Sequence, residues 1–203
     1  SGRMPAGEMT LARALQQGGY TAGHSGKWHM AINHHAFPQP KDQGFDWTCS
    51  DRGATKPAKP NRLSGFSTNR KNDPFRLDEN GFPFHQNSHD ALTFLREHKA
   101  DPFFLYYATW LVHTPIHTRS EALYKKYCAK LGVTPDESHA HKWEEKGQKN
   151  PWYCAMVEML DYYVGQLVKE LETTDDPRWP GHKLIENTYL IFTSDNGGME
   201  GHP

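Results

Sequence analysis

Apolar side chains recur at helical spacing in four segments of the chain. In residues 8–18, Leu11, Ala14 and Leu15 share one helix face, and Gly18-Gly19 gives the stop signal. The longest segment, 151–172, carries a broad apolar stripe that includes Met156, Leu160 and Leu167. The pattern predicts helices over residues 8–18, 88–99, 120–132 and 151–172.

Three other segments have the character of strands. The run PFFLYYATWLV over residues 102–112 is almost continuously apolar, as is YLIF over 189–192, which predicts strands buried on both faces. YTAGHSGKW, over 20–28, is a shorter and weaker strand. Helices that alternate with such strands predict an α/β fold, with a mostly parallel central sheet and flanking helices. Three strands are few for this architecture, so we expect the sheet to be incomplete.

Two segments show little periodicity and are predicted as loops within one partial domain over 1–203. Residues 37–86 are rich in Pro, Gly, Asn and Arg, and residues 132–150 are polar. A loop region as long as 37–86 is typical of functional or variable segments. Its aromatic and basic side chains fit either a substrate pocket or a solvated surface: Trp47, Arg52, Arg62, Arg70 and Arg76.

Composition excludes several classes of function. The chain has 203 residues and a formal net charge of −1, so no overall basic field points to nucleic acid or to an anionic membrane. No apolar run reaches the roughly 18 residues that a membrane span needs. The three cysteines are widely spaced and form no CxxC pair, which argues against a zinc site or a disulfide framework.

Each predicted strand runs directly into a polar cluster: GKWH, HTPIH and SDNGG. In open parallel α/β sheets, ligands bind outside the carboxyl ends of the strands, so these clusters are expected at one rim. A lysine there suits an anion, a histidine suits proton transfer to a leaving oxygen, and an Asp-Asn pair suits Ca²⁺ or Mg²⁺. The candidate residues are Lys27, His29, His113, His117, Asp195 and Asn196.

Each cluster also has a plainer explanation when taken alone. Lys27 fits a solvated surface lysine, His113 fits a histidine that caps a strand, and SDNGG fits an ordinary tight turn. Their shared position at strand ends favours a common site.

The same residues resemble the sulfatase family. LARALQQGGYTAGHSGKWHM is similar to the family signature around Gly-Lys-Trp-His, and DPFFLYYATWLVHTPIH to its buried strand ending in His-x-Pro. MLDYYVGQLVKELE followed by NTYLIFTSDNGG resembles its long helix and Asp-Asn metal motif, and the three matches occur in the family's order.

The resemblance implies an alkaline-phosphatase-like fold and hydrolysis of a sulfate ester. It implies that Lys27 binds the sulfate and that His29 contacts the nucleophile and helps to regenerate it. His113 would bind the sulfate or the leaving oxygen. The position of His117 after the same predicted strand, and not the resemblance, makes it a candidate for substrate binding. Asp195 and Asn196 would ligate Ca²⁺, with Mg²⁺ as the other candidate.

The resemblance also implies parts that this sequence does not contain. Family members use a formylglycine nucleophile made in a Cys/Ser-x-Pro/Ala-x-Arg motif, and none of Cys49, Cys128 and Cys154 lies in one. The family's N-terminal aspartate pair and its second sulfate-binding lysine are absent as well. We therefore expect an internal fragment of a longer sulfatase, inactive by itself.

Two other functions stay open on the sequence. One is a phosphodiesterase or phosphonate hydrolase of the same superfamily, and the other is a non-catalytic relative that binds an anion or a glycan. The expected partner is a small-molecule or glycan sulfate ester, without nucleic acid or a membrane span. Export to the periplasm, the lysosome or the extracellular space is implied by the family alone.

Overall fold

The computed structural model describes residues 3–31, 36–49, 65–113, 116–136 and 149–194. The chain divides into two compact units, and the long C-terminal helix contributes residues to each. The first unit comprises residues 1–58, 86–110 and 164–189, and the second comprises 59–85, 111–163 and 190–203. A single partial domain over 1–203 stays a prediction.

All four predicted helices are present, with their ends within a few residues of the expected positions. Side chains and glycines define several of these ends. Thr10 accepts a hydrogen bond from the Arg13 backbone N–H at 3.1 Å, and Ser120 accepts one from Leu123 N–H at 3.3 Å. Gly132 ends its helix in the left-handed conformation, with φ 67°. The helices are α1 (Leu11–Gln17), α2 (Gln86–Glu97), α3 (Glu121–Leu131) and α4 (Pro151–Thr173).

The first unit contains a parallel sheet of three strands in the order β2-β1-β3. These are β1 (Thr21–Gly26), β2 (Trp47–Cys49) and β3 (Phe103–Ala108). Gly23 lies opposite Trp47 on one side of β1 and opposite Leu105 on the other. The prediction of a parallel sheet with flanking helices is confirmed.

The two faces of this sheet pack against different helices, because side chains alternate along each strand. On one face, Phe94 of α2 is fully buried with Leu95, Leu167 and Leu171, and Phe103 packs against this cluster. On the other face, Ala12 of α1 lies in a cluster with four buried residues from β1 and the loops beside it. Those residues are Ala22, Trp28, Ala31 and Phe45.

The second unit has its own core, built on α3 and the first half of α4. The Trp152 indole stacks on the Tyr124 ring at 3.9 Å and on the His117 ring at 4.7 Å between centroids. Met156 and Met159 are buried beside them. The apolar stripe predicted for 151–172 is therefore used along the whole helix, since Leu167 and Leu171 belong to the first unit's core.

Three predictions about strands were wrong. Residues 189–192 form no strand, and Tyr189 and Ile191 are 99% and 87% exposed. A strand needs hydrogen-bonding partners, and no described strand pairs with this segment, so apolar composition alone did not produce one. β3 is half-buried, not buried on both faces, and Tyr106 in its centre is 44% exposed. β2 lies inside 37–86, which the sequence analysis treated as loop.

Candidate functional site

The GKWH segment begins where β1 ends, beside the end of β3. Gly26 has φ 116°, and a Cβ on it would lie 1.9 Å from the Ala108 carbonyl oxygen. Only glycine permits this approach, so the two strand ends lie in direct contact. The Lys27 backbone N–H donates to that same Ala108 oxygen at 2.5 Å. Lys27 is therefore fixed by its backbone at the joined ends of two parallel strands, where ligands bind in such sheets.

Trp110 lies next to the Lys27 ammonium. The Lys27 Nζ atom is 5.4 Å from the centroid of the Trp110 ring, within cation–π range, and Trp110 is 3% exposed. A buried ring face restricts where the flexible lysine side chain can go. The sequence analysis did not select Trp110, because it lies inside the strand predicted over 102–112, whereas the observed strand ends at Ala108.

Trp28 anchors the GKWH segment through its buried indole ring. It is 6% exposed, and its Nε1–H donates to the Pro38 carbonyl oxygen at 2.8 Å. His29, the next residue, is exposed and has φ 39°, in the left-handed region that non-glycine residues seldom adopt. The segment is thus not a continuation of the strand, as the range 20–28 predicted, but an irregular segment held by its neighbours.

The two predicted histidines after β3 belong to the second unit. His113 is exposed. His117 is 6% exposed, stacks on Trp152, and its backbone N–H donates to the Met156 sulfur at 3.2 Å. The structure therefore places His117 within an aromatic stack, and its contact with a substrate stays a prediction.

Asp195 and Asn196 lie outside the described residues, so the metal site predicted at them stays a prediction. Two oxygen ligands cannot complete the six or more positions that Ca²⁺ requires. Across the ranges that the structure describes, no cluster of three or more His, Cys, Asp or Glu side chains could hold a metal. The same ranges contain no helix that is long and apolar enough to cross a bilayer.

Comparison with known proteins identifies the class. The family model for sulfatases matches residues 2–202. A solved structure from work on the metabolism of multiple glycosaminoglycans by Bacteroides thetaiotaomicron covers 87% of this chain with a TM-score of 0.52 and 18% identity, and this chain covers 45% of it. The fold is that of the alkaline-phosphatase-like α/β proteins. The chain belongs to the sulfatase family.

Several curated sulfatases align with almost the whole chain. An arylsulfatase from Hemicentrotus pulcherrimus is 29% identical over 96% of the chain, and arylsulfatase G from Mus musculus is 27% identical over 97%. A Formosa agariphila protein named ulvan-active sulfatase is 26% identical over 98%. The alignments cover 32%, 37% and 37% of those relatives, so the chain spans about a third of their length.

Proposed function

We propose that this chain is the part of a sulfatase that binds the sulfate group of an ester substrate and supports its hydrolysis. The observation that carries the proposal is the position of Lys27. Its backbone is fixed at the joined ends of β1 and β3, and its ammonium group lies over the Trp110 ring. Membership of the sulfatase family supports the same conclusion.

The ammonium of Lys27 suits the charge that develops in this reaction. Hydrolysis forms a new bond to sulfur and breaks the bond between sulfur and the ester oxygen, which leaves negative charge on the oxygens. A cation fixed in advance near those oxygens stabilises the transition state more than the ground state. The Trp110 ring orients this cation and adds no formal negative charge of its own.

The histidines would handle protons. His113 would donate a proton to the leaving ester oxygen, so that an alcohol departs and not an alkoxide. His29 would take a proton from the nucleophile's second hydroxyl when the sulfate is released. Both imidazoles are exposed in the structure, which leaves their rings accessible to a substrate. His117 would contribute a contact to the substrate.

Asp195 and Asn196 would hold Ca²⁺, or Mg²⁺ in its place. The ion would neutralise charge on the sulfate oxygens. The formylglycine nucleophile would come from other residues of the whole protein, because no cysteine or serine here lies in the Cys/Ser-x-Pro/Ala-x-Arg motif. We accordingly propose that the 203 residues alone do not turn over a sulfate ester.

The substrate class is a small-molecule or glycan sulfate ester. Relatives named arylsulfatase and ulvan-active sulfatase support both possibilities. We also propose that the whole protein is exported from the cytosol, to the periplasm, the lysosome or the medium.

The test compares two substrates on the whole protein, expressed with the coding sequence on both sides of this segment. We expect turnover of para-nitrophenyl sulfate with a kcat/KM well above that for bis-para-nitrophenyl phosphate. The matched control is the 203-residue chain alone, which should be inactive. Preference for the phosphodiester would replace the proposal with a phosphodiesterase. Inactivity on both of these substrates and on sulfated glycans would indicate a non-catalytic relative.

A further inference from the structure

His24 lies in the middle of β1, three residues before Lys27, and is completely buried. Three aromatic rings surround its imidazole. The centroid distances are 5.5 Å to Trp28, 5.3 Å to Phe45 and 5.6 Å to Tyr106. The ring has no access to solvent, so it cannot reach a substrate, and any effect on chemistry must pass through its neighbours.

The polar contact that His24 makes leads directly to Lys27. Its Nε2 atom is 3.1 Å from the Lys27 carbonyl oxygen. A carbonyl oxygen only accepts, so Nε2 must carry the hydrogen. Within the described residues, no donor meets the buried Nδ1 atom. Burial lowers the pKa of His24 to about 4, more than its contacts with backbone carbonyls raise it. The imidazole is thus neutral near pH 7, in the single tautomer with hydrogen on Nε2.

Together with two others, this hydrogen bond restrains the segment after β1, whose backbone conformation at His29 is unfavourable. The Lys27 N–H donates to the Ala108 carbonyl oxygen, and the Trp28 Nε1–H donates to the Pro38 carbonyl oxygen. The Lys27 carbonyl oxygen accepts from His24 Nε2–H. His29, two residues beyond Lys27, has φ 39°. Backbone conformations of this kind are unfavourable and persist only where the surrounding structure determines them.

We propose that His24 is a positioning residue. Its Nε2–H donates to the Lys27 carbonyl oxygen and thereby fixes the backbone of the segment after β1 that carries Lys27 and His29. This inference rests on the proposed function, since it assigns His24 a part in sulfate binding. A donor at this point in β1 restrains both the lysine and the histidine, because the bonded carbonyl lies between β1 and the left-handed residue. A substitution that removes the donor leaves the Lys27 carbonyl without this hydrogen bond, while another ring can still fill the space between Trp28, Phe45 and Tyr106.

Two substitutions separate the donor from the shape of the ring. His24→Phe keeps an aromatic ring at this position and removes the hydrogen-bond donor. His24→Gln removes the ring, but its terminal amide can place a nitrogen donor where Nε2 lies. A purely structural role would make Phe the better tolerated replacement, whereas the positioning role favours Gln.

The first measurement needs no catalysis. In the isotope-labelled whole protein, nitrogen NMR should show hydrogen on Nε2 of His24. The carbonyl ¹³C shift of Lys27 should change in His24→Phe and stay close to its original value in His24→Gln. Hydrogen on Nδ1, or equal shifts in both variants, would overturn the proposal.

The second measurement is a double-mutant cycle on the whole protein with para-nitrophenyl sulfate. We expect His24→Phe to lower kcat/KM by about 10- to 100-fold, the scale of a small displacement of a catalytic group. His24→Gln should recover most of the loss. In a Lys27→Ala background, His24→Phe should cost clearly less than in the wild type, because only its effect through His29 remains, and a full additional loss would overturn the proposal. An inactive wild-type protein would contradict the proposed function alone, and the NMR comparison would then decide the role of His24.

Discussion

At the level of single residues, two buried histidines have pKa values well below the ordinary value. His24 is enclosed by aromatic rings in the first unit, and His85 stacks on Tyr163 in the second, with 4.8 Å between ring centroids. Burial lowers the pKa of each to about 4, from an ordinary value of 6.5. Both imidazoles are therefore kept neutral by the folded state, which disfavours their charged forms.

These pKa values predict how stability depends on pH. Between pH 6.5 and pH 4 the unfolded chain binds protons at His24 and His85 that the folded chain does not, so the free energy of unfolding falls as the pH falls. The loss is about 3 kcal/mol for each histidine once the pH reaches 4, and none of it is present above pH 6.5. Urea unfolding at a series of pH values measures the slope.

The double variant His24→Phe, His85→Phe serves as the control for that slope. It should unfold with a much flatter pH dependence between pH 6.5 and pH 4, since the two titrating rings are gone. An unchanged slope in this variant would show that other groups bind the protons.

At the level of elements, the contact between the ends of β1 and β3 determines where the backbone of Lys27 lies. Gly26 permits the contact, and the Lys27 N–H extends the hydrogen bonding between the strands by one residue. β1 and β3 pair along their whole length, from Thr21 opposite Phe103 to Gly26 opposite Ala108.

Replacing Gly26 with Ala should therefore disrupt this strand end. The new Cβ would lie 1.9 Å from the Ala108 carbonyl oxygen, and φ 116° is strained for any side chain. We expect a loss of more than about 3 kcal/mol in the free energy of unfolding, as for other severe backbone conflicts. Urea unfolding of the purified variant provides the measurement.

Gly165 offers a matched control on a different element. It lies in the interior of α4, and a Cβ there would meet nothing within 4 Å. Gly165→Ala should stabilise the chain by about 0.5–1 kcal/mol, because alanine loses less backbone freedom in a helix. If both glycines tolerated alanine equally, the close approach of the two strand ends would be refuted.

The sequence predicted the helices well because their apolar spacing and end signals are local. Thr10, Ser120 and Gly132 act within their own helices, so a short window contains all the information needed. The strands were harder, because a strand depends on partners that are distant in sequence. β2 was missed for that reason, and residues 189–192 were predicted as a buried strand although no described strand pairs with them.

The candidate site was partly predictable in the same way. The GKWH cluster was expected at a strand end, and Lys27 lies there. The roles of Trp110 and His24 could not be read from the sequence, since they depend on side chains that meet only after the sheet forms. The gathering of Lys27, His113 and Asp195 around one anion stays a prediction, as Asp195 is outside the described residues.

At the level of the whole molecule, family membership and the position of Lys27 lead to one functional conclusion. The chain matches the sulfatase family over residues 2–202, and the joined ends of β1 and β3 hold Lys27, which we propose binds the sulfate. Because the chain spans about a third of the length of its arylsulfatase relatives, the proposal is tested on the whole protein.

The most direct test replaces Lys27 with Ala in the whole protein and measures kcat/KM for para-nitrophenyl sulfate. We expect a loss of about 100- to 1000-fold, the scale for removing one fixed group that stabilises transition-state charge. Lys125→Ala is the matched control: this lysine pairs with Glu121 on the surface of α3, and its loss should leave kcat/KM near the wild-type value. A Lys27→Ala protein that kept kcat/KM within about threefold of wild type would contradict the assignment of Lys27 to sulfate binding.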